Sequence, residues 1–247
     1  MRLFRSHGLG NDYLVLEDGP PVTPDLARAL CDRRTGVGGD GVLEPVDGGL
    51  RIWNPDGSEA EKSGNGIRIF AHWLVRRRGA ASPLTLWTKG GVVRAWVAGD
   101  DVRVEMGVAR VGEPRSVEGV TALPVDVGNP HHVVFAVPDD WRSLGARIER
   151  SVPARTNVQF VAVEGPRAVR VKVWERGAGE TRSSGSSACA VAAATVATGR
   201  ASSPVEVRMD GGTLRVEVGE GGAVTLEGPV EAVGAVELDA GWVARRT

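Results

Sequence analysis

Alternating apolar and polar residues in two long segments predict antiparallel strands. The segments are LTLWTKGGVVRAWVAGDDVRVEMG (84–107) and VEVRMDGGTLRVEVGEGGAVTLEG (205–228). In each one the alternation runs for a few residues, stops at a cluster of Gly and Asp or Glu, and then resumes. Successive side chains of a strand point to opposite faces, so this pattern is typical of strands that bury one face and are joined by tight turns.

Two other segments predict helices. Apolar residues recur at helical spacing from Ile67 to Leu74, and this helix is expected to end near Gly79. The segment ACAVAAATVAT (188–198) is apolar nearly all round. A helix without a polar face must be enclosed, so the second helix is predicted to lie inside a layer of strands.

The chain contains an internal repeat. The segment RIWNPDGSEAEKSG (51–64) matches KVWERGAGETRSSG (172–185) when the sequence is shifted by 121 positions. The shift pairs Trp53 with Trp174, Glu59 with Glu180, Ser63 with Ser184 and Gly64 with Gly185, and upstream it pairs Arg34, Thr35 and Val37 with Arg155, Thr156 and Val158. Solenoid repeats have periods of roughly 20 to 50 residues, so a shift of this length indicates a duplicated domain instead.

These patterns predict an α/β (α+β) fold of two pseudo-symmetric domains, each a curled, mainly antiparallel sheet wrapped around a central helix. The N-terminal half is expected to comprise residues 1–107 plus 236–247, and the C-terminal half residues 108–235. In both halves an apolar strand leads into a Gly-rich loop that ends at Ser-Gly before the helix. We expect a cleft between the two domains.

Each predicted helix begins with the same dipeptide, Ser63–Gly64 in one half and Ser184–Gly185 in the other. The first turn of a helix has free N–H groups and the positive end of the helix dipole, which together bind a carboxylate. With an amino-acid carboxylate held there, the two serines are expected on opposite faces of the α-carbon. One would remove a proton and the other would return one, as inversion of a stereocentre without a cofactor requires. The alternative is that both serines are only N-caps.

Composition favours a small soluble partner. The formal net charge of −1 gives no reason to expect nucleic acid or an anionic membrane, so a small soluble ligand is predicted, and the helix starts suit an amino-acid substrate. No apolar run approaches the ~18 residues that span a bilayer, and no membrane association is expected. Cys31 and Cys189 cannot form a disulfide framework and are predicted to be small core residues, which fits a cytoplasmic location.

No cofactor is predicted. Lysine occurs only at Lys62, Lys89 and Lys172, none of them in a phosphate-binding loop, which disfavours a lysine-bound pyridoxal cofactor. His131 and His132 lack carboxylate or cysteine companions at ligand spacing, so no metal site is predicted, and one of the two is a candidate for a purely structural role.

One glycine pattern suggests a dinucleotide site but is not interpreted as one. Gly36, Gly38 and Gly41 match G-x-G-x-x-G. A helix-like segment precedes these glycines and a strand pattern follows them, which is the reverse of the order in dinucleotide-binding folds.

Six segments spread along almost the whole chain form a recognisable set of motifs. They are HGLGND (7–12), TGVGGDG (35–41), NPDGSEAEKSGNGIR (54–68), GNPH (128–131), RTNVQF (155–160) and ERGAGETRSSGSSAC (175–189). Together they resemble the motifs of the diaminopimelate epimerase family. The resemblance implies the two-domain fold, a homodimer, and a cofactor-independent isomerase that interconverts LL- and meso-diaminopimelate on the route to lysine and peptidoglycan.

The resemblance also implies roles for individual residues. His131 and Glu175 match positions near the reacting groups, as catalytic residues beside Ser63 and Ser184. Arg176 would bind the distal carboxylate, a bidentate task that suits a planar guanidinium. Substrate binding is implied for Asn11, Asn54, Asn129, Asn157, Glu175 and Arg176, and backbone N–H donation to the proximal carboxylate for Gly64, Asn65, Gly185 and Ser186.

The chain departs from the family at the reacting groups themselves. Ser63 and Ser184 stand where the family has its two catalytic cysteines, and a hydroxyl is far less acidic than a thiol of pKa about 8.5. Gly41 replaces a substrate-side glutamine and Ser187 a glycine, and these accompanying changes indicate a natural serine variant. Three alternatives stay open: epimerisation of diaminopimelate, epimerisation or dehydration of another amino acid, and amino-acid binding without catalysis.

Overall fold

A computed structural model describes residues 1–153 and 155–246 of the chain. The strands are β1 (Arg2–Gly8), β2 (Asn11–Asp18), β3 (Val42–Val46), β4 (Gly49–Trp53), β5 (Glu59–Ala60), β6 (Leu84–Thr88), β7 (Gly91–Ala98), β8 (Asp101–Val108), β9 (Arg110–Val111), β10 (Arg115–Val117), β11 (Val120–Asp126), β12 (Pro130–Val134), β13 (Asn157–Gly165), β14 (Ala168–Glu175), β15 (Gly179–Thr181), β16 (Val205–Met209), β17 (Gly212–Val218), β18 (Ala223–Pro229) and β19 (Glu231–Glu237). The helices are α1 (Pro24–Cys31), α2 (Gly64–Arg78), α3 (Trp141–Ser151), α4 (Gly185–Ala197) and α5 (Ala240–Ala244), with a 3₁₀ turn at Glu220–Gly222.

The chain forms two compact units. Unit 1 consists of residues 1–104 and 229–247, and unit 2 of residues 105–228. The chain returns to unit 1 earlier than the predicted bound at residue 236, because β19 pairs antiparallel with β1 from Arg2↔Glu237 to His7↔Glu231. Backbone pairing with the first strand therefore assigns all of β19 to the N-terminal half.

In unit 1 the strands form a mainly antiparallel sheet that carries α2. β1 pairs antiparallel with both β2 and β19, and β6, β7 and β8 follow one another as an antiparallel meander. The β2–β3 and β4–β6 pairs are parallel. Helix α2 contacts β1, β2 and β7, and every residue from Gly64 to Trp73 is buried. Helix α1 packs its apolar face into a separate cluster around Leu26 and Leu30.

Unit 2 repeats this plan. β11–β12 and β13–β14 are antiparallel pairs, β12–β13 and β14–β16 are parallel, and β16, β17 and β18 form the equivalent meander. Helix α4 contacts β9, β11, β12, β13, β16 and β17. Helix α3 packs against β13 and β14, with Leu144 and Ile148 in a cluster around Phe160.

The repeat predicted from the sequence is confirmed in the backbone. Shifted by 121 positions, the starts of α2, β6 and β7 coincide with those of α4, β16 and β17. Side-chain contacts keep the same register: the Ser82 hydroxyl accepts a hydrogen bond from the Val97 N–H at 3.0 Å, and the Ser203 hydroxyl accepts one from the Val218 N–H at 2.8 Å. The predicted fold class of two pseudo-symmetric domains is therefore correct.

Helix α4 is enclosed, as its apolar sequence predicts. Residues from Ser187 to Thr195 are all buried, and Ala188, Ala190 and Ala192 have no exposed surface. Small side chains on every face let strands approach the helix from several directions. None of the helices in residues 1–153 and 155–246 is long and apolar enough to cross a membrane.

A test of this enclosure compares two alanines of α4. Ala192→Leu inserts extra methylene groups at a position with no exposed surface and is expected to lower the free energy of unfolding by about 1–3 kcal/mol. Ala197→Leu, at the exposed last residue of the same helix, is expected to change it by no more than about 0.5 kcal/mol. Urea denaturation measures both variants, and equal effects would contradict an enclosed helix.

Candidate active site

Ser63 and Ser184 have the same local structure, each in its own unit. Ser63 has φ −140° and ψ 116°, and Ser184 has φ −146° and ψ 122°, an extended conformation directly before the helix. The Ser63 Oγ accepts a hydrogen bond from the Gly66 N–H at 3.0 Å, and the Ser184 Oγ accepts one from the Ser187 N–H at 3.4 Å. Both serines are therefore N-caps, and any acid–base role would use the same oxygen atoms.

The first N–H groups of both helices remain available to a ligand. Within the described part of the chain, the N–H groups of Gly64 and Asn65 in α2, and of Gly185 and Ser186 in α4, have no acceptor. No acidic side chain lies in the first turn of either helix. Each helix start thus combines two N–H donors with the positive end of a helix dipole, which suits a carboxylate.

The hydroxyl of Ser63 has a second partner that the sequence did not reveal. The Oη of Tyr13, in β2, lies 2.9 Å from the Ser63 Oγ. Tyr13 is 6% exposed, whereas Ser63 is partly exposed. The two residues are 50 positions apart, and Tyr13 is one of several buried residues of β2. No local sequence signal therefore predicts this contact.

The surroundings of Ser184 differ from those of Ser63. Ser184 is 5% exposed, and the preceding Ser183 has a buried hydroxyl without a hydrogen-bond partner in the described residues. The Oγ of Ser187, in the first turn of α4, accepts a hydrogen bond from the Gln159 amide at 3.0 Å. Gly66 holds the equivalent place in α2, where a Cβ would come within 3.2 Å of the Ser63 Oγ.

In unit 1 a chain of hydrogen bonds orients the predicted substrate-binding amides. Arg68 donates to the Asn65 Oδ1, the Asn65 Nδ2 donates to the Asn11 Oδ1 at 2.9 Å, and the Asn11 Nδ2 donates to Asp40 at 2.8 Å. A guanidinium only donates and a carboxylate only accepts, so the two ends fix the orientation of both amides. Arg68 itself is completely buried and also donates to the Pro229 carbonyl at 3.2 Å.

Asn54 and Glu175 occupy equivalent turns. The Asn54 carbonyl accepts a hydrogen bond from the Gly57 N–H at 3.0 Å, and the Glu175 carbonyl accepts one from the Ala178 N–H at 3.2 Å. Both side chains are partly exposed. The Asn54 amide also donates to the Ser58 hydroxyl at 2.9 Å. The turn presents an amide in one unit and a carboxylate in the other, a difference the amino-acid sequence already contains.

Asn157 and Arg176 are brought together, but through the backbone of Arg176. The Asn157 Oδ1 accepts from the Arg176 N–H at 3.0 Å, and its Nδ2 donates to the Pro130 carbonyl at 3.0 Å. Asn157 is 7% exposed, whereas the Arg176 side chain is exposed. Asn157 therefore holds the loop that presents Arg176.

Glu149 supports the same loop, and sequence reasoning missed it. Its carboxylate accepts hydrogen bonds from the Gly177 N–H at 2.8 Å and the Trp174 indole at 2.9 Å, and it pairs with Arg155. Burial raises the pKa of this carboxyl, but these hydrogen bonds and the charge of Arg155 outweigh burial and hold the pKa below its ordinary value. Glu149 is therefore an ionised anchor beneath residues 175–177.

His131 is buried in a network of amides. Its Nδ1 lies 2.9 Å from the Gln159 Nε2, and its Nε2 lies 2.9 Å from the Asn129 Oδ1. Since the Gln159 amide nitrogen donates, His131 carries its proton on Nε2 and donates to Asn129. Burial, followed by the positive charge of Arg176, lowers the pKa of His131 to about 3 despite the Gln159 hydrogen bond, so the ring is neutral. Both ring nitrogens are occupied, and His131 is positioned to orient the Asn129 amide.

His132 points to different partners. Its Nδ1 lies 3.0 Å from the Thr156 hydroxyl, and Arg115 donates to its Nε2 at 3.2 Å. Burial, with the charge of Arg115, lowers the pKa of His132 to about 4. The described residues contain no group of three or more His, Cys, Asp or Glu side chains that would hold a metal ion.

The two cysteines are buried, as the sequence predicts. Burial raises the pKa of the Cys31 thiol to about 12, with the nearby carboxylates of Asp40 and Asp12 adding to the effect. A thiol in this state is not a nucleophile at neutral pH.

Comparison with solved structures identifies the class of fold. A probable proline racemase from Agrobacterium radiobacter K84, solved with bound carbonate, superimposes with a TM-score of 0.75 at 19% sequence identity, over 97% of this chain and 93% of that one. The chain therefore has the same fold as that protein, two repeated units that each carry a capped central helix.

The family follows from the sequence matches. The family model for diaminopimelate epimerase matches residues 3–112 and 124–233. A diaminopimelate epimerase of Desulforudis audaxviator is 41% identical, with 98% of this chain and 99% of that protein covered, and one of Desulfitobacterium hafniense is 38% identical, with 94% and 96% covered. The chain belongs to the diaminopimelate epimerase family, a family of isomerases, and the resemblance described from its motifs is correct.

The buried neutral state of His131 predicts sensitivity to acid. Its pKa is about 3 in the folded chain and about 6.5 when unfolded, so between these values the unfolded chain binds more protons. The free energy of unfolding is therefore expected to fall as the pH drops below 6.5, and His131 contributes no pH dependence above 6.5. From pH 7 to pH 5 this histidine should cost about 2 kcal/mol.

Urea denaturation at both pH values measures this loss. In His131→Gln the side chain cannot titrate, so the loss on acidification is expected to shrink by about that amount, with the contribution of His132 retained. An unchanged pH dependence in the variant would show that His131 is not neutral and buried in solution.

Proposed function

We propose that the protein is an isomerase that inverts the α-carbon of diaminopimelate, with Ser63 and Ser184 as the two acid–base groups. The observation that carries the proposal is the equivalence of the two helix starts in φ, ψ and hydrogen bonding. A reaction that removes a proton from one face of the α-carbon and adds one to the opposite face needs two acid–base groups in equivalent settings. Family membership with relatives named diaminopimelate epimerase supports this substrate and this reaction.

The helix starts supply the charge stabilisation that the reaction needs. Removing an α-proton places negative charge on the α-carbon, and this charge spreads into the adjacent carboxylate. In the proposed reaction the N–H groups of Gly64 and Asn65, and those of Gly185 and Ser186, would donate to that carboxylate, and their stabilisation would grow as the charge develops. The proposed chemistry draws on the protein's own groups, and we propose that it uses no cofactor.

Recognition of the distal end of the substrate is assigned to the loop of unit 2. Arg176 is exposed on a loop that Asn157 and Glu149 hold in place, and its guanidinium suits a second carboxylate. Asn11, Asn54 and Asn129 have orientations fixed by their hydrogen bonds and would contact the amino and carboxylate groups. Glu175 supplies the carboxylate of this set and would pair with an ammonium group.

The serines make two other functions worth testing in the same experiment. A hydroxyl gives up its proton much less readily than a thiol, so the reaction on diaminopimelate should be slower than with a pair of thiols. A smaller or β-substituted amino acid, epimerised or dehydrated, is the second candidate. Amino-acid binding without proton transfer is the third.

Proton exchange at the α-carbon distinguishes these functions. The protein is incubated with LL- or meso-diaminopimelate in deuterated water, and loss of the α-proton signal is followed by NMR. Exchange and interconversion are expected, and Ser63→Ala and Ser184→Ala should each lower the rate by about 10²-fold or more. Arg176→Ala should weaken binding of diaminopimelate while leaving the exchange of an amino acid without a distal carboxylate largely unaffected.

Measurable binding of diaminopimelate without exchange, at high protein concentration, would contradict the isomerase proposal and favour binding alone. Exchange of another amino acid but not of diaminopimelate would retain the two-serine chemistry and reject the substrate.

Restoring thiols provides an independent test. In Ser63→Cys/Ser184→Cys, each acid–base position holds a group with a pKa near 8.5, so interconversion of diaminopimelate is expected to rise by at least about 10²-fold above the starting protein. The matched control is Ser63→Cys/Ser184→Ala, which has one thiol and should not invert the α-carbon efficiently. If the double cysteine variant is no faster, Ser63 and Ser184 are not the acid–base positions.

A further inference from the structure

Tyr13 occupies a space that exists because residue 41 is a glycine. A Cβ at Gly41 would lie 2.5 Å from the Tyr13 Cε1 and 2.6 Å from the Trp53 carbonyl oxygen. No side chain fits there while the Tyr13 ring is present. The glycine and the tyrosine therefore belong to one arrangement, and its result is the 2.9 Å contact between the Tyr13 Oη and the Ser63 Oγ.

The hydrogen bonds at the Ser63 Oγ leave one direction for a substrate. A serine hydroxyl has one proton and two acceptor positions. The Gly66 N–H uses one acceptor position. If Tyr13 donates, the Ser63 proton is directed away from both partners. If Ser63 donates to an ionised Tyr13, the remaining lone pair of the Ser63 Oγ is directed away from both partners.

We propose that Tyr13 is the proton partner of Ser63, a positioning residue that makes this serine usable as an acid and a base. This inference rests on the proposed isomerase function. In one direction the α-C–H bond breaks and its proton forms a bond with the Ser63 Oγ, while the original Ser63 proton moves to the phenolate of Tyr13. In the other direction the Tyr13 proton moves to the Ser63 Oγ as the Ser63 proton forms the α-C–H bond. Charge moves between the α-carbon and the phenol oxygen, and the transfer at Ser63 needs no other reactant.

A phenol is chemically suited to this place. Tyrosine has an ordinary pKa of about 10, so its oxygen carries negative charge far more readily than a serine oxygen does. At Ser63 the transfer removes the need for a free serine alkoxide, the main obstacle to replacing a thiol by a hydroxyl. The chain has one tyrosine, so this device can serve only one of the two serines.

A double-mutant cycle tests the proposal. Tyr13→Phe keeps the ring and removes only the hydroxyl, and it is expected to slow α-proton exchange by about 10²-fold. In a Ser63→Cys background the thiol ionises by itself, so adding Tyr13→Phe is expected to leave the exchange rate nearly unchanged. A purely structural role for the Tyr13 hydroxyl would slow both backgrounds equally. Thermal unfolding of each variant confirms that the fold is retained.

The outcomes separate this proposal from the proposed function. Two results would overturn the role of Tyr13 and keep the isomerase. In one, Tyr13→Phe exchanges the α-proton as fast as the starting protein does. In the other, Tyr13→Phe slows exchange to the same extent in the Ser63 and Ser63→Cys backgrounds. Absence of exchange in the starting protein, with diaminopimelate bound, would overturn both. A large effect of Tyr13→Phe confined to the Ser63 background supports the proton partnership.

Discussion

The capping hydrogen bond at the start of each central helix links the fold to its chemistry. One serine oxygen accepts the third N–H group of the helix, which leaves the first two N–H groups for a ligand. The cap, the anion-binding donors and the proposed acid–base atom therefore all lie within one turn. The chemistry of this atom is restricted, because a serine hydroxyl gives up its proton far less readily than a thiol and needs a further partner before it can exchange protons easily.

The surroundings of the two serines differ between the units, although the backbone is the same. In unit 1 a phenol lies beside the serine, and a bare Gly66 leaves the cap unobstructed. In unit 2 the equivalent residue is Ser187, whose hydroxyl joins the buried network of Gln159 and His131. The repeat thus has two equivalent helix starts, one beside a tyrosine and one beside a buried amide network.

The fold and the helix starts were predictable because their signals are local. Alternation identified the two meanders, the apolar run identified the enclosed α4, and a shift of 121 positions identified the duplication. The boundary at β19 was not predictable, since it depends on pairing with a strand at the opposite end of the chain. Among site residues, the places of Ser63 and Ser184 were predicted, but the contact of Tyr13 and the support from Glu149 were not.

The sequence by itself determined which segments become strands and helices, where each central helix starts, and the family to which the chain belongs. It could do so because periodicity, capping residues and motifs act over a few neighbouring positions. Only the tertiary structure decided that Tyr13 lies against Ser63, that His131 is a neutral ring holding an amide, and that Asn157 supports the backbone of Arg176. Those contacts join residues 2 to 50 positions apart, and even the nearest depends on burial and on the direction in which a side chain points.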